Sequence, residues 1–173
     1  MTAYQIDVKG TGRNTQSLLN EALRLQNEYE KNFNRNIDRL WVVFDRDSFS
    51  ANNFNSAVYR CKDHQPEIGC AWSNEAFELW YLLHFQYLEN AMSRMDYPSL
   101  IENNLKPILG NDYRYKKNSE EMYALLKEYG NQANAIRYGK RLALSYGQGW
   151  DYANQNPCTM VWKLVEELLE LNE

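Results

Sequence analysis

Leu40 to Phe44, LWVVF, is the stretch that most limits the fold of this chain. Five consecutive apolar residues with no polar interruption fit a strand buried on both faces, as in parallel sheets covered by helices. The neighbouring segments suit such a sheet. Tyr4–Gly10, YQIDVKG, alternates apolar and polar side chains like a partly exposed or edge strand, and the turn GTGRN follows it. Asn14 or Thr15 can then cap a helix in which Leu18, Leu19, Ala22, Leu25 and Tyr29 recur at helical spacing. Beyond the apolar run, Phe54, Ala57, Val58 and Cys61 give a short helix one apolar stripe, and Ile68–Ser73, IGCAWS, is a third strand. A strand-helix-strand-helix-strand order predicts an α/β fold with a small parallel sheet, right-handed crossovers and flanking helices.

The second half reads as helical throughout. With Asn74 as its cap, EAFELWYLLHFQYL is apolar nearly all the way round, which predicts a helix in the centre of the domain. Further helices are expected near Pro98–Asn104, Ser119–Tyr129, Asn131–Tyr146 and Pro157–Leu171. In the last, Asn156 would cap and Pro157 would take the first helical position. The chain has 173 residues and no repeat, low-complexity tract or linker, so a single domain spanning 1–173 is expected.

Charge and cysteine usage narrow the function. Nineteen basic against 23 acidic residues leave a net charge of −4, so a polyanion would need a local basic patch or a bridging cation. Cys61, Cys70 and Cys158 show no CxxC spacing and read as buried thiols of a reducing compartment. The N-terminal residues show no export signal, and AFELWYLLHF is too short to span a bilayer. The expectation is a cytoplasmic protein without a membrane segment.

The apolar run ends in DRD, at the edge where open α/β sheets bind ligands. In an extended segment Asp45 and Asp47 point the same way and can reach one hard cation, Mg²⁺ or its stand-in Mn²⁺, while Arg46 between them points elsewhere, toward a nucleic-acid phosphate or a structural carboxylate. The plainer alternative is a loop in which Asp45 caps the next turn and Asp47 is solvated. Asn74, Glu75 and Glu78 form a second cluster on one side of the expected helix. A carboxylate in so apolar a helix needs a partner or a metal, although acids at a helix start are also favoured by its dipole. His84 is more often a satisfied core histidine than a base. Arg13, in the glycine turn, is expected at the same sheet edge. Arg114–Asn118, RYKKN, with Lys116 and Lys117 beside Tyr113 and Tyr115, is the densest basic cluster and the best candidate for a nucleic-acid contact.

These blocks also carry a family resemblance. VVFDRDSF, SNEAFELWYLLHF, YKKNSEEMYALL and NPCTMVWKLVEELL resemble the RloB-like proteins of the wider Toprim group, in order, from about Val8 to the C-terminus. The resemblance implies a Toprim-like core, metal-dependent phosphodiester chemistry with Asp45 and Asp47 holding Mg²⁺, and association with prokaryotic defence loci and their partner proteins. The family pattern opens on an EGxTE-like strand and turn whose glutamate is the general acid/base, and MTAYQIDVKGTGRN resembles the second strand that follows it. The expectation is therefore a fragment or a degenerate member, with Glu75 or Glu78 as the candidate catalytic carboxylates and catalysis by this chain left open. Loss of a strand would expose a sheet edge for another element or a second subunit, which makes a homodimer a conditional expectation.

Two other classes compete. A phosphatase of the haloacid-dehalogenase type also uses a strand followed by DxD, but it expects Thr or Val soon afterwards and a later acidic pair. Here SFS follows, and no Asp-Asp pair exists. A non-catalytic module that binds nucleic acid or a partner protein through the same edge is the stronger rival.

Overall fold

The computed structural model describes residues 5–117 and 119–171. Trp41–Asp45 (β1) and Gly69–Ser73 (β2) pair in parallel, Trp41 opposite Gly69 through to Asp45 opposite Ser73, with α2 (Ala51–Asp63) as the crossover. Alternation of side chains across the strands separates two cores. On one face Val42, Phe44 and Trp72 pack with Leu19 and Ala22 of α1 (Thr15–Phe33) and with Phe54, Ala57, Val58 and Cys61 of α2. On the other, Ala71 meets Leu79, Leu82 and Leu83 of α3 (Glu78–Leu83), Leu142 of α6 (Gln132–Ser145) and Val161 of α7 (Val161–Glu170). Between α3 and α6, α4 (Tyr97–Leu109) and α5 (Glu121–Tyr129) share a smaller core of Ile101, Leu105, Met122 and Leu126. The α/β class, the small parallel sheet and the helical second half are thus as the sequence predicts.

Four local expectations are corrected. Tyr4 lies outside the described residues, and Gln5–Gly10 is exposed and joins no strand; Ile6 is 60% and Val8 84% exposed. Neither β1 nor β2 hydrogen-bonds that segment, so its alternation has no ladder to join. Secondly, β1 is not buried on both faces, because Val43 is 42% exposed. The outer side of β2 is covered by backbone, with Met160 N donating to Trp72 O (2.7 Å) and Asn74 N to Cys158 O (2.8 Å), whereas β1 has no strand on its outer side among the described residues.

Thirdly, the helix expected from Asn74 starts only at Glu78 and runs six residues. Asn74 is fully buried with its side chain turned inward, and Glu75 sits in the left-handed region at φ 66°. The helix stops at His84, whose carbonyl accepts from Asn131 N (2.9 Å) at the start of α6. Fourthly, Asn156 and Pro157 do not start the last helix. The Asn156 side chain binds the backbone of Met92, and Thr159 bridges to Ser73, so regular helix begins at Val161.

Candidate site at the carboxyl edge of the sheet

Asp45 closes β1 on the face that carries α3, so its carboxyl points toward the start of that helix. Burial pushes its pKa up to about 6, against the backbone N–H of Phe77, which donates to it; the Glu78 carboxylate raises it further and Lys117 opposes. Oδ1 of Asp45 is buried and has no hydrogen-bond partner. Such an oxygen is costly unless a proton or a cation meets it.

Glu78, the first residue of α3, is 6% exposed, and one of its oxygens accepts from Tyr115 Oη at 3.0 Å. Tyr115 is held in turn by its backbone N–H on Glu102 (3.1 Å), itself paired with Lys106 at 2.8 Å. Burial, together with the Glu78 charge, drives the Tyr115 phenol far above its ordinary range, so it stays a donor. Through this bond the basic loop reaches the sheet edge and places the Lys117 charge within range of Asp45. Lys116 is exposed beside it, and Asn118 lies outside the described residues.

Asp47 does not face the way Asp45 does. Arg46 N donates to Ser73 O (2.9 Å) and Phe49 N to Arg46 O (3.0 Å), which closes a turn with Asp47 in the left-handed region at φ 48°. The geometry assumed for an extended DxD is therefore lost. Asp47 instead forms an ion pair with Arg94, whose backbone N–H donates to Glu75 at 3.2 Å. The three residues of the second cluster part company as well. Glu78 joins Asp45 and Glu75 stands beside Arg94, while Asn74 Nδ2 donates to the carbonyls of Tyr152 (3.2 Å), Ala153 (2.9 Å) and Gln155 (2.8 Å).

The remaining candidates have structural partners. Arg46 Nη1 donates to Ala153 O at 2.6 Å and so points into the protein. Arg13 is exposed and 3.8 Å from Glu21. His84 is buried with Nδ1 2.9 Å from Trp80 O, and burial pushes its pKa down, so it sits in the core as a neutral imidazole. Sequence reasoning missed the Phe77 amide and Arg94. Neither carries a signal, since a backbone donor has no letter and Arg94 stands in the nondescript AMSRMD.

Among the described residues no group of three or more His, Cys, Asp or Glu side chains is placed to hold a metal. A pair does fit one. Asp45, half-buried, and Glu78, buried, are oxygen donors of like charge, near enough that Glu78 raises the Asp45 pKa, and one Asp45 oxygen has no partner, which is the donor chemistry a hard cation takes. No helix of the described residues is long and apolar enough to cross a membrane. A family model described as RloB-like protein matches residues 2–168. No curated protein and no solved structure matches the chain.

Proposed function

The chain belongs to the RloB-like family over nearly its whole length, and from that membership we propose a Toprim-like domain that acts on nucleic-acid phosphodiesters with Mg²⁺ or Mn²⁺ in prokaryotic defence. The observation that carries the reading is the buried, unpartnered oxygen of Asp45 beside Glu78. Two carboxylates forced together at a strand's carboxyl end are a poor choice for stability and a reasonable one for a cation.

In this reading Asp45 and Glu78 hold the cation, and Asp47 joins them when Arg94 releases it. A bound divalent ion supplies Lewis-acid stabilisation of charge developing on a phosphate oxygen. The chain's own groups do the positioning. Tyr115 fixes one Glu78 oxygen as an acceptor, and Lys117 and Lys116 offer ammonium groups to the phosphate backbone, while Arg13 is near Glu21 and no contact among the described residues brings it to that loop. Arg46 is committed to Ala153 O and takes no part in phosphate binding. Glu75, paired through the Arg94 backbone, is the remaining carboxylate near the turn.

A second reading, a module that binds nucleic acid or a partner protein without cutting it, is favoured by the Asp47–Arg94 ion pair, which withdraws one of the two DxD carboxylates. Calorimetric titration of Mn²⁺ into the protein and into Asp45→Asn, Glu78→Gln and Asp47→Asn variants separates the two. Binding lost in the first two variants and weakened in the third supports the cation site and is followed by cleavage assays on DNA and RNA. A wild-type protein that takes up no Mn²⁺, with or without an oligonucleotide present, rejects it in favour of the binding module.

A further inference from the structure

An unbroken series of aromatic rings runs from the core to the surface. Phe44 meets Phe54 at 5.7 Å between centroids, Phe54 meets Trp72 at 5.5 Å, and Trp72 meets Tyr152 at 5.8 Å. Tyr152 continues to Tyr59 at 5.6 Å and Tyr59 to Trp150 at 5.8 Å. The first three rings are buried, the two tyrosines are half-buried, and Trp150 is 75% exposed. One exposed aromatic side chain needs no explanation, but three in contact at the surface, with a cation on one of them, call for one.

The cluster is held rigidly. Tyr59 Oη donates to Trp150 O at 3.0 Å, and Lys62 Nζ donates to Tyr152 Oη at 2.6 Å while lying 4.6 Å from the centre of that ring. The segment is also fixed to the ends of both strands. Arg46, next to Asp45, donates to Ala153 O, and Asn74, next to the end of β2, donates to the carbonyls of Tyr152 and Ala153. The backbone of the Tyr152–Gln155 segment therefore keeps a set position at the strand ends, and the rings lie along the second half of α2, beside Tyr59 and Lys62.

We propose that Trp150, with Tyr59 and Tyr152 beneath it, is a stacking platform for an unpaired base, which makes single-stranded nucleic acid the substrate class. The inference rests on the reading that the site handles nucleic-acid phosphodiesters, and it specifies which form. Exposed, pre-ordered aromatic faces bind bases without regard to sequence, because every base has a π-face, and a neighbouring ammonium suits the phosphate that follows each base. In a duplex those faces are already occupied by neighbouring bases. A single strand that stacks a base on the platform meets the Lys62 ammonium beside it.

The test is fluorescence anisotropy of the full chain with a short labelled oligothymidylate or oligouridylate, and with a duplex, all in chelator so that no cation is required. The expected result is preference for the single strand, with Trp150→Ala weakening its binding about 5- to 150-fold, the worth of one base stack. Trp150→Phe restores most of the binding, and circular dichroism of both variants matches the wild type. Single-strand binding unchanged by Trp150→Ala, equal binding of duplex and single strand, or no binding of either oligonucleotide overturns the platform. Asp45→Asn separates this from the nuclease reading. Trp150-dependent binding that persists in a protein with no Mn²⁺ affinity rejects only the nuclease, whereas Mn²⁺ binding with a silent Trp150→Ala rejects only the platform.

Discussion

Replacing Asp45 by Asn should stabilise the protein at neutral pH, and by an amount that depends on pH in a set direction. The folded carboxyl titrates near 6 against an ordinary 3.8, a rise caused first by burial and then opposed by the Phe77 amide. A carboxyl whose folded pKa lies above its unfolded one binds a proton on folding within that window, so stability falls as pH rises through it. The penalty is absent below about pH 4 and complete above about pH 6. Roughly two pH units of difference correspond to about 2–3 kcal/mol of destabilisation at pH 8. Asn keeps an oxygen for the Phe77 N–H and places N–H donors where the unpartnered oxygen stood, facing Glu78. Urea unfolding followed by tryptophan fluorescence should therefore find Asp45→Asn more stable than wild type by about 2 kcal/mol at pH 8, with the gap closing by pH 4. A variant no more stable at pH 8, or a gap that persists at pH 4, would refute the argument. Saturating Mn²⁺ should narrow or reverse the ranking, since 100-fold excess over Kd stabilises the binding-competent protein by about 2.7 kcal/mol.

Three further outcomes follow from individual contacts. Arg94→Ala frees Asp47 from its ion pair and should tighten Mn²⁺ binding by roughly 5-fold, the worth of about 1 kcal/mol for an exposed pair; unchanged calorimetric affinity would mean that Asp47 cannot reach the cation. Asn74→Ala removes the donor that serves three carbonyls of the Tyr152–Gln155 segment and should cost about 2–4 kcal/mol in chemical denaturation; a loss under about 1 kcal/mol would show that solvent replaces those bonds. Gly69→Ala sets a Cβ 2.2 Å from the Trp41 ring, so the indole must move, at a cost of about 1–3 kcal/mol read from the same denaturation curve.

How far the sequence reveals this protein depends on the range of each interaction. The apolar run at Leu40–Phe44, the stripe of Phe54, Ala57, Val58 and Cys61, and the Asn14 cap are local patterns, and all three correspond to observed elements. Failures occur where a distant partner overrides the local preference. Asn74 is a good cap by propensity, yet three carbonyls some eighty residues later claim its amide. Asn156 and Pro157 spell a helix start, yet β2 draws that backbone into extended pairing. The candidate site divides in the same way. Asp45 at a strand end and the tyrosine-rich basic loop were legible by position, and Glu78 by its oddity in an apolar segment. The spacing of Asp45 and Asp47 misled because it assumed extended backbone where a left-handed turn occurs. The aromatic platform was invisible, since Tyr59 and Trp150 are ninety-one residues apart and neither belongs to a motif.

The one-sided pairing of β1 also separates neighbouring amides in time. Leu40 O accepts from Gly69 N and Arg46 N donates to Ser73 O, so the even-numbered residues of the strand direct their peptide groups to β2 and Trp41, Val43 and Asp45 direct theirs to the side on which no strand lies among the described residues. In deuterium oxide, the amide protons of Val42 and Phe44 can leave only when the sheet itself opens. The Val43 proton, one residue away and on the same rigid strand, exchanges from the closed state. Exchange rates that alternate residue by residue along β1 are the solution signature of a strand with one neighbour, and a partner strand docking on that edge would erase the alternation.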